Sequence, residues 1–201
     1  MTLLVGKKGS GKSHLCCEWL LTHWKGVYDE IIFISPTFRA QYDKLWKKLA
    51  PDGITVYEEV NEELFKSILK KVEAREGDVL LVLDDLGAEL RQLKEKTLNT
   101  LVSNSRHYRL SIVALHQRLT QAPTSIRANA DSIVMFSANS YVEMDYLWKM
   151  VSTVEKKRFN KMFRSATVEP YSFMVSLVTK TGNLKFYQHD LVTEIKLDIE
   201  E

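Results

Sequence analysis

The chain has 201 residues, of which 45% are apolar and 27% charged, with a formal net charge of +2, so it is expected to form one domain, residues 1–201, around a sizeable core. So small a charge argues neither for nor against a polyanionic partner, and any nucleic-acid contact must rest on local patches. The longest apolar runs, such as residues 79–83, are far short of a membrane span, the start lacks a signal-peptide pattern, and the neighbouring Cys16 and Cys17 are poorly placed for a mutual disulfide; a soluble protein of a reducing intracellular compartment, without a membrane partner, is expected.

In chain order, Met1, Thr2, Leu3, Leu4 and Val5 form a short apolar run that ends at Gly6 and predicts a buried strand entering a turn. From Lys12, the residues Leu15, Cys16, Trp19, Leu20 and Trp24 recur at helical spacing, which predicts a helix with these two tryptophans on its core face. Residues 30–34 read as a second buried strand, and Ser35, Pro36 and Thr37 open a helix carrying Tyr42, Leu45, Trp46 and Leu49, which Pro51, Asp52 and Gly53 break. After a short strand at residues 54–57, Asn61 is placed to cap a helix with Leu64, Phe65, Ile68, Leu69 and Val72 inward, ending near Gly77.

Residues 79–83 are five apolar side chains that stop at Asp84 and Asp85, and they predict the most buried strand. One helix is expected from Leu90 to Val102, then strands at residues 110–115 and 132–136. Ser140 and Glu143 have the spacing of a capping box, with helices expected before and after Ser152 and Thr153. Residues 171–179 and 184–188 flank a turn at Gly182 and Asn183 and predict a hairpin. Strands alternating with helices give an α/β fold, a mainly parallel sheet covered by helices on both faces, with a core over about residues 1–140 and C-terminal helices and hairpin over about 141–190.

Gly6, Lys7, Lys8, Gly9, Ser10, Gly11, Lys12 and Ser13 match the Walker A spacing and stand where the chemistry requires, after a strand and at a helix start. The glycines let backbone N–H groups from Gly9 to His14 point at a β-phosphate, and the helix dipole adds to the attraction. The nucleotide-binding set is therefore Gly6, Lys8, Gly9, Ser10, Gly11, Lys12, Ser13 and His14, with Lys12 on the β and γ phosphates. Ser13 and Asp84, the latter closing an apolar strand as a Walker B carboxylate does, are the candidate Mg2+ ligands. Asp85 leaves the strand and is the candidate base for the attacking water, with Glu89 as the alternative. Gln117, just past the next strand, is placed to sense the γ-phosphate or orient that water. Together these features describe a P-loop NTPase that binds Mg-ATP and hydrolyses it.

The early Walker A motif, residues 81–86 reading Leu-Val-Leu-Asp-Asp-Leu, Ser105-Arg106-His107 before a strand, and a strand leading to Gln117 resemble the FtsK/HerA-type ATPases. Residues 126–136, Ile-Arg-Ala-Asn-Ala-Asp followed by Ser-Ile-Val-Met-Phe, resemble more narrowly the genome-packaging ATPases of poxviruses, giant viruses and virophages. The resemblance implies a sheet in which the Gln117 strand lies between the Walker A and Walker B strands. It also implies a homo-oligomeric ring, translocation of double-stranded DNA into a capsid, contact with capsid proteins, and a location in the host cytoplasm, virus factory or virion. A trans-acting arginine finger of that group corresponds to Arg106.

For DNA contacts, Lys156, Lys157, Arg158, Lys161 and Arg164 form one short basic stretch. The same stretch also reads as a solvated helical face with Phe159, Met162 and Phe163 packed inward, and the segment from Arg118 to Arg127 is a rival. Two other functions fit an early P-loop: a small nucleotide or nucleoside kinase, and a slow ATP-dependent loader or regulator.

Overall fold

The computed structural model describes residues 1–39, 54–74, 76–138, 140–151, 154–179 and 181–195. The helix expected over residues 35–49, with Trp46 in its core face, and its break at Pro51 lie outside the described residues beyond position 39, as do Ser152 and Thr153. The strands are β1 (Thr2–Val5), β2 (Glu30–Ile34), β3 (Ile54–Tyr57), β4 (Val79–Asp84), β5 (Leu110–His116), β6 (Ser132–Phe136), β7 (Phe173–Val178) and β8 (Leu184–Tyr187). The described helices are α1 (Lys12–Thr22), α2 (Glu62–Ala74), α3 (Glu89–Gln92), α4 (Glu95–Ser103), α5 (Thr124–Ala128), α6 (Tyr141–Met150) and α7 (Lys156–Ala166), with one 3-10 turn at Leu119–Gln121.

The eight described strands share one sheet in the order β3-β2-β4-β5-β1-β6-β7-β8. From β3 to β6 neighbouring strands are parallel, while β7 joins β6, and β8 joins β7, antiparallel. The hairpin thus extends the same sheet. It turns through Gly182, whose φ of 81° is open to a residue without Cβ, and Gly182 N–H donates to the Thr179 carbonyl at 2.9 Å. The strand expected to be most buried, β4, is buried at all six positions. The expected order around the site is present: β5, which leads to Gln117, lies between β4 and β1.

Strand residues alternate between two cores because successive side chains face opposite ways. Leu4, Phe33, Val82, Leu115 and Val134 pack with Cys16, Cys17, Trp19 and Leu20 of α1. Leu3, Val5, Leu81, Leu83 and Met135 pack on the other side with α2, α4, α6 and α7 through Phe65, Leu101, Leu147 and Phe159. Trp19 is buried on α1 as the helical spacing predicts, whereas Trp24 lies past the end of α1 at Thr22 and meets Trp19 edge to face at 5.4 Å. Both cysteines are buried free thiols, and burial pushes the Cys17 thiol up to about 12.

One expected element is split. The single helix over Leu90 to Val102 is two helices, α3 and α4, because Leu93 and Lys94 take extended ψ values of 150° and 125°. The cause is tertiary: the Glu62 carboxylate, from the start of α2, accepts the Lys94 N–H at 2.9 Å and the Thr97 hydroxyl at 2.5 Å, and so caps α4 from outside. Apolar periodicity cannot register such a cap, since both pieces keep the same face inward.

Candidate functional site

The loop from Gly6 to Gly11 joins β1 to α1 at the carboxyl edge of the parallel strands. Gly6 N–H donates to the His116 carbonyl at 3.2 Å, which ties the loop to the end of β5. A Cβ on Gly6 would stand 2.6 Å from Phe136 Cβ and 2.7 Å from Ser10 Oγ, so a side chain has no room there. Gly11 precedes α1 with φ of 100°, no side chain caps that helix start, and no acid lies in its first turn. The first N–H groups of α1 therefore face the loop with their dipole uncancelled, which is the arrangement that binds phosphate. Ser10 Oγ is buried and has no hydrogen-bond partner among the described residues.

Lys12 is only 8% exposed, and its Nζ donates to the carbonyls of Gly6 at 2.5 Å and Lys7 at 3.0 Å. Burial draws its ammonium below the ordinary lysine value, and the charges of Asp84, Asp85 and Glu143 oppose that pull. Asp84, 2% exposed, ends β4 and accepts a hydrogen bond from the buried Ser35 hydroxyl at 3.1 Å. Ser35 follows Ile34, the neighbour of Leu83 across the β2/β4 ladder, so strand register brings the two together.

Asp85 departs from the strand with φ of 56°, a left-handed conformation that aspartate tolerates better than most residues. Its N–H still donates to the Leu115 carbonyl at 3.0 Å. Its carboxylate turns sideways to accept Gln117 Nε2–H at 2.6 Å. The alternative, Glu89, stands in the first turn of α3. Gln117 thus pairs with Asp85.

A cavity of about 400 Å³ opens beside this cluster, lined by Lys7, Lys8, Gln117, Arg118, Glu143 and Tyr146 among others. Glu143 corrects the capping-box expectation. Its N–H does donate to Ser140 Oγ at 3.2 Å, but its carboxylate does not return to the cap, and Oε1 is buried without a hydrogen-bond partner among the described residues. Burial raises the Glu143 carboxyl above its usual range, against the lowering charges of Arg118 and Lys12. Desolvation alone thus outweighs two nearby cations.

Sequence reasoning missed three residues here: Ser35, His116 and Glu143. Ser35 was readable as a polar residue closing an apolar strand beside the one that ends in Asp84. His116 is 1% exposed, neither ring nitrogen has a hydrogen-bond partner among the described residues, and burial lowers its pKa to about 4. Nothing in its local sequence separates it from a surface residue at a strand end. Glu143 was hidden by its match to a helix-start pattern.

The remaining expected residues fall into two groups, those on the loop and α1 and those distant from them. Lys8, Gly9 and His14 are exposed on the loop and on α1, while Ser13 is partly buried. Arg106 lies before β5, at the opposite edge of the sheet from the loop, a separation of about 20 Å along a seven-residue strand. It is 85% exposed and pairs with Asp131 at 2.8 Å. On α7, Phe159, Met162 and Phe163 are buried, the inward packing expected of a solvated basic helix, and burying each such side chain is worth about 1.5–3 kcal/mol. Lys156 bonds Asp145 at 2.5 Å and lies over the Trp148 ring at 5.5 Å, so it fastens α7 to α6. Arg127, from the rival segment, donates to the Ala122 carbonyl at 3.1 Å. No described helix is long and apolar enough to cross a membrane.

A family model described as Poxvirus A32 protein matches residues 1–181. Uncharacterized protein 075L of Invertebrate iridescent virus 6 is 21% identical over 194 residues, covering 93% of this chain and 74% of that protein. Uncharacterized protein 015R of Frog virus 3 is 23% identical over 179 residues, covering 86% of this chain and 54% of that protein, so the chain spans about half the length of the second relative. Among solved structures, the genome packaging NTPase B204 from Sulfolobus turreted icosahedral virus 2, in complex with AMP, superposes with a TM-score of 0.72 at 20% identity, covering 94% of this chain and 96% of that one. At that identity the likeness establishes a shared fold.

Proposed function

The chain belongs to the Poxvirus A32 protein family, and from that membership we propose that it is a Mg2+-dependent ATPase, a motor that moves double-stranded DNA in packaging a viral genome. The observation that carries the hydrolytic reading is the 2.6 Å bond between Gln117 and Asp85, at the ends of β5 and β4, which lie on one side of the strand leading to the Lys12 loop. A carboxylate oriented by an amide at that position is built to hold and deprotonate a water.

In this reading the loop N–H groups and the α1 dipole hold the phosphates, and Lys12 exchanges its bonds to the Gly6 and Lys7 carbonyls for β and γ phosphate oxygens. The unpartnered Ser10 hydroxyl supplies a further donor. Asp84, already oriented by Ser35, and the Ser13 hydroxyl are hard oxygen donors suited to Mg2+. Among the described residues no cluster of three His, Cys, Asp or Glu side chains is assembled, so the ion would share its shell with nucleotide phosphates and water. Bound there, it would neutralise charge on the phosphoryl oxygens. Asp85 then takes the proton of the attacking water while Gln117 fixes the carboxylate and the water's direction.

Arg106 is too far from its own loop to act on it, so the reading gives it to a neighbour's nucleotide in a ring. The fold likeness to a packaging NTPase supports the packaging setting, with capsid proteins as partners in the host cytoplasm, virus factory or virion. Measuring ATP hydrolysis with and without double-stranded DNA, then with nucleosides and nucleoside monophosphates as acceptors, tests this. DNA-stimulated release of inorganic phosphate is expected. Phosphate transfer to an acceptor would make the protein a kinase, and slow hydrolysis indifferent to DNA would make it a loader or regulator.

A further inference from the structure

The γ-phosphate end of the site faces β4 and β5, where Asp84, Asp85 and Gln117 stand. A nucleotide bound along the loop must therefore carry its sugar and base toward the other flank of β1, where β6 ends and β7 begins. On that flank the turn of residues 169–172 leads into β7, and it is tied twice: Ser172 N–H and Ser172 Oγ both donate to the Glu169 carbonyl, at 3.2 and 2.7 Å. The pairing of Phe136 with Phe173 across β6 and β7 holds this turn over the start of α1. Beneath it, Phe136 and Phe173 lie 5.2 Å apart and His189 meets Phe173 at 6.4 Å, a row of rings that stiffens the corner.

Tyr171 occupies the tip of that turn. Its Cδ1 and Cβ stand 3.3 and 3.5 Å from where a Cβ on Gly11 would be, so its ring lies against the backbone of the phosphate loop. Yet the side chain is 71% exposed, and its backbone is held at φ of 66°, a conformation disfavoured for a bulky residue. A large ring fixed in this way contributes little to the core. It offers a flat apolar face to solvent beside the loop that would hold the phosphates.

We propose that Tyr171 is the nucleobase platform of the site: its ring stacks on the base of the bound nucleoside triphosphate and favours purines, whose larger face overlaps it more fully. This rests on the reading of the Lys12 loop as a nucleotide site and adds to it the part that recognises the nucleoside. Stacking on an aromatic side chain is worth enough to change affinity about ten-fold or more. Because the ring is remote from the γ-phosphate, its effect falls on binding and leaves the chemical step alone.

The test uses the full chain and its Tyr171→Ala, Tyr171→Gly and Tyr171→Trp variants, with Tyr171→Gly included because glycine accepts the observed φ without strain. Steady-state kinetics with ATP and CTP are measured alongside calorimetric binding of ATP and of inorganic tripolyphosphate, which has no base. The expected result is a KM for ATP raised about ten-fold in the Ala and Gly variants, kcat and tripolyphosphate affinity retained, a narrower gap between ATP and CTP, and recovery in Tyr171→Trp. An unchanged KM for ATP in the Ala and Gly variants, with tripolyphosphate still bound, overturns the platform and leaves the phosphate loop standing. A wild-type protein that binds neither ATP nor tripolyphosphate overturns the nucleotide site itself, and the platform with it.

Discussion

Gln117 donates from Nε2 to Oδ2 of Asp85 at 2.6 Å, joining the residue that follows β5 to the residue that follows β4. The bond fixes a carboxylate whose backbone has already left the strand. Asp85→Asn keeps an oxygen that can accept from Gln117 but removes the basic site. It should bind Mg-ATP normally and hydrolyse it slower by about 10²-fold or more. Gln117→Ala should lower turnover less, because the carboxylate remains but loses its orientation. Single-turnover phosphate release checks both. If Glu89→Gln rather than Asp85→Asn loses turnover, the base is Glu89.

Lys12→Ala should abolish hydrolysis and weaken ATP binding, since the ammonium is the buried cation next to the loop. Removing it also ends a desolvation cost, so the nucleotide-free variant should melt no lower than wild type by more than a few degrees. The rise in melting temperature on adding Mg-ATP, which follows binding to the folded state, should vanish. Scanning calorimetry with and without nucleotide reads both effects, and a normal rise would remove Lys12 from the site.

Among the described residues the Arg106 side chain pairs with Asp131, the two being 85% and 41% exposed, and exposed pairs of this kind are worth about 0–1 kcal/mol. The guanidinium can therefore leave Asp131 for a phosphate at little cost. Arg106→Ala should bind ATP as wild type does and hydrolyse it slowly, given that arginine fingers contribute about 10³ to 10⁵ in rate. If the chain forms the proposed ring, mixing Arg106→Ala with Lys12→Ala should restore activity, because some interfaces would then join an intact loop to an intact arginine. Subunit exchange without rescue would count against action in trans. Full activity of Arg106→Ala alone would pass the role to Arg118 or Arg127.

The basic face of α7 is best tested without Lys156, whose bonds to Asp145 and Trp148 make it part of the α6/α7 packing. Lys157→Glu with Lys161→Glu changes exposed charge alone. If this face meets DNA phosphates, affinity should fall and the slope of log affinity against log salt should flatten by about 0.9 for each phosphate no longer neutralised. An unchanged slope would leave α7 as a solvated helix.

Acid should weaken the fold through His116. Its pKa is about 4 in the folded chain against about 6.5 unfolded, so in between the unfolded chain binds a proton that the folded one refuses. The stabilising effect is complete above about pH 6.5 and declines as pH drops toward about 4, by roughly 3 kcal/mol in all. His116→Leu should lose that share of the acid sensitivity. Urea midpoints of the two proteins at about pH 7.5 and pH 4.5 should converge or cross in the acid sample if this holds, whereas a constant difference would deny His116 the role.

The apolar runs made the strands legible, and the spacing of Gly6, Gly11, Lys12 and Ser13 made the phosphate loop legible, because both are local patterns with one physical meaning. The place of β5 between β1 and β4 came from a resemblance, since no local property of residues 110–116 encodes their neighbours. Glu143 and the split between α3 and α4 were illegible for a shared reason. In each case a carboxylate acts away from its own helix start: Glu62 caps α4, and Glu143, which its position marks as half of a capping box, faces the cavity beside Lys12 instead. Tyr171 stood at the edge of a predicted strand, and only the turn that places it on Gly11 gives it a distinct character.

The position of β1 in the middle of the sheet has a consequence for how the chain folds. Its ladder partners are residues 113–116 on one side and 132–135 on the other, so the segment bearing the phosphate loop can gain neighbours only by closing loops of more than about a hundred residues. Such non-local pairing slows folding and leaves strand edges open in the interim. During synthesis the loop is made before β5 and β6 but cannot be shaped until they have left the ribosome, so a nascent chain stopped before residue 132 should have no nucleotide affinity, although every residue of the phosphate loop is already in it.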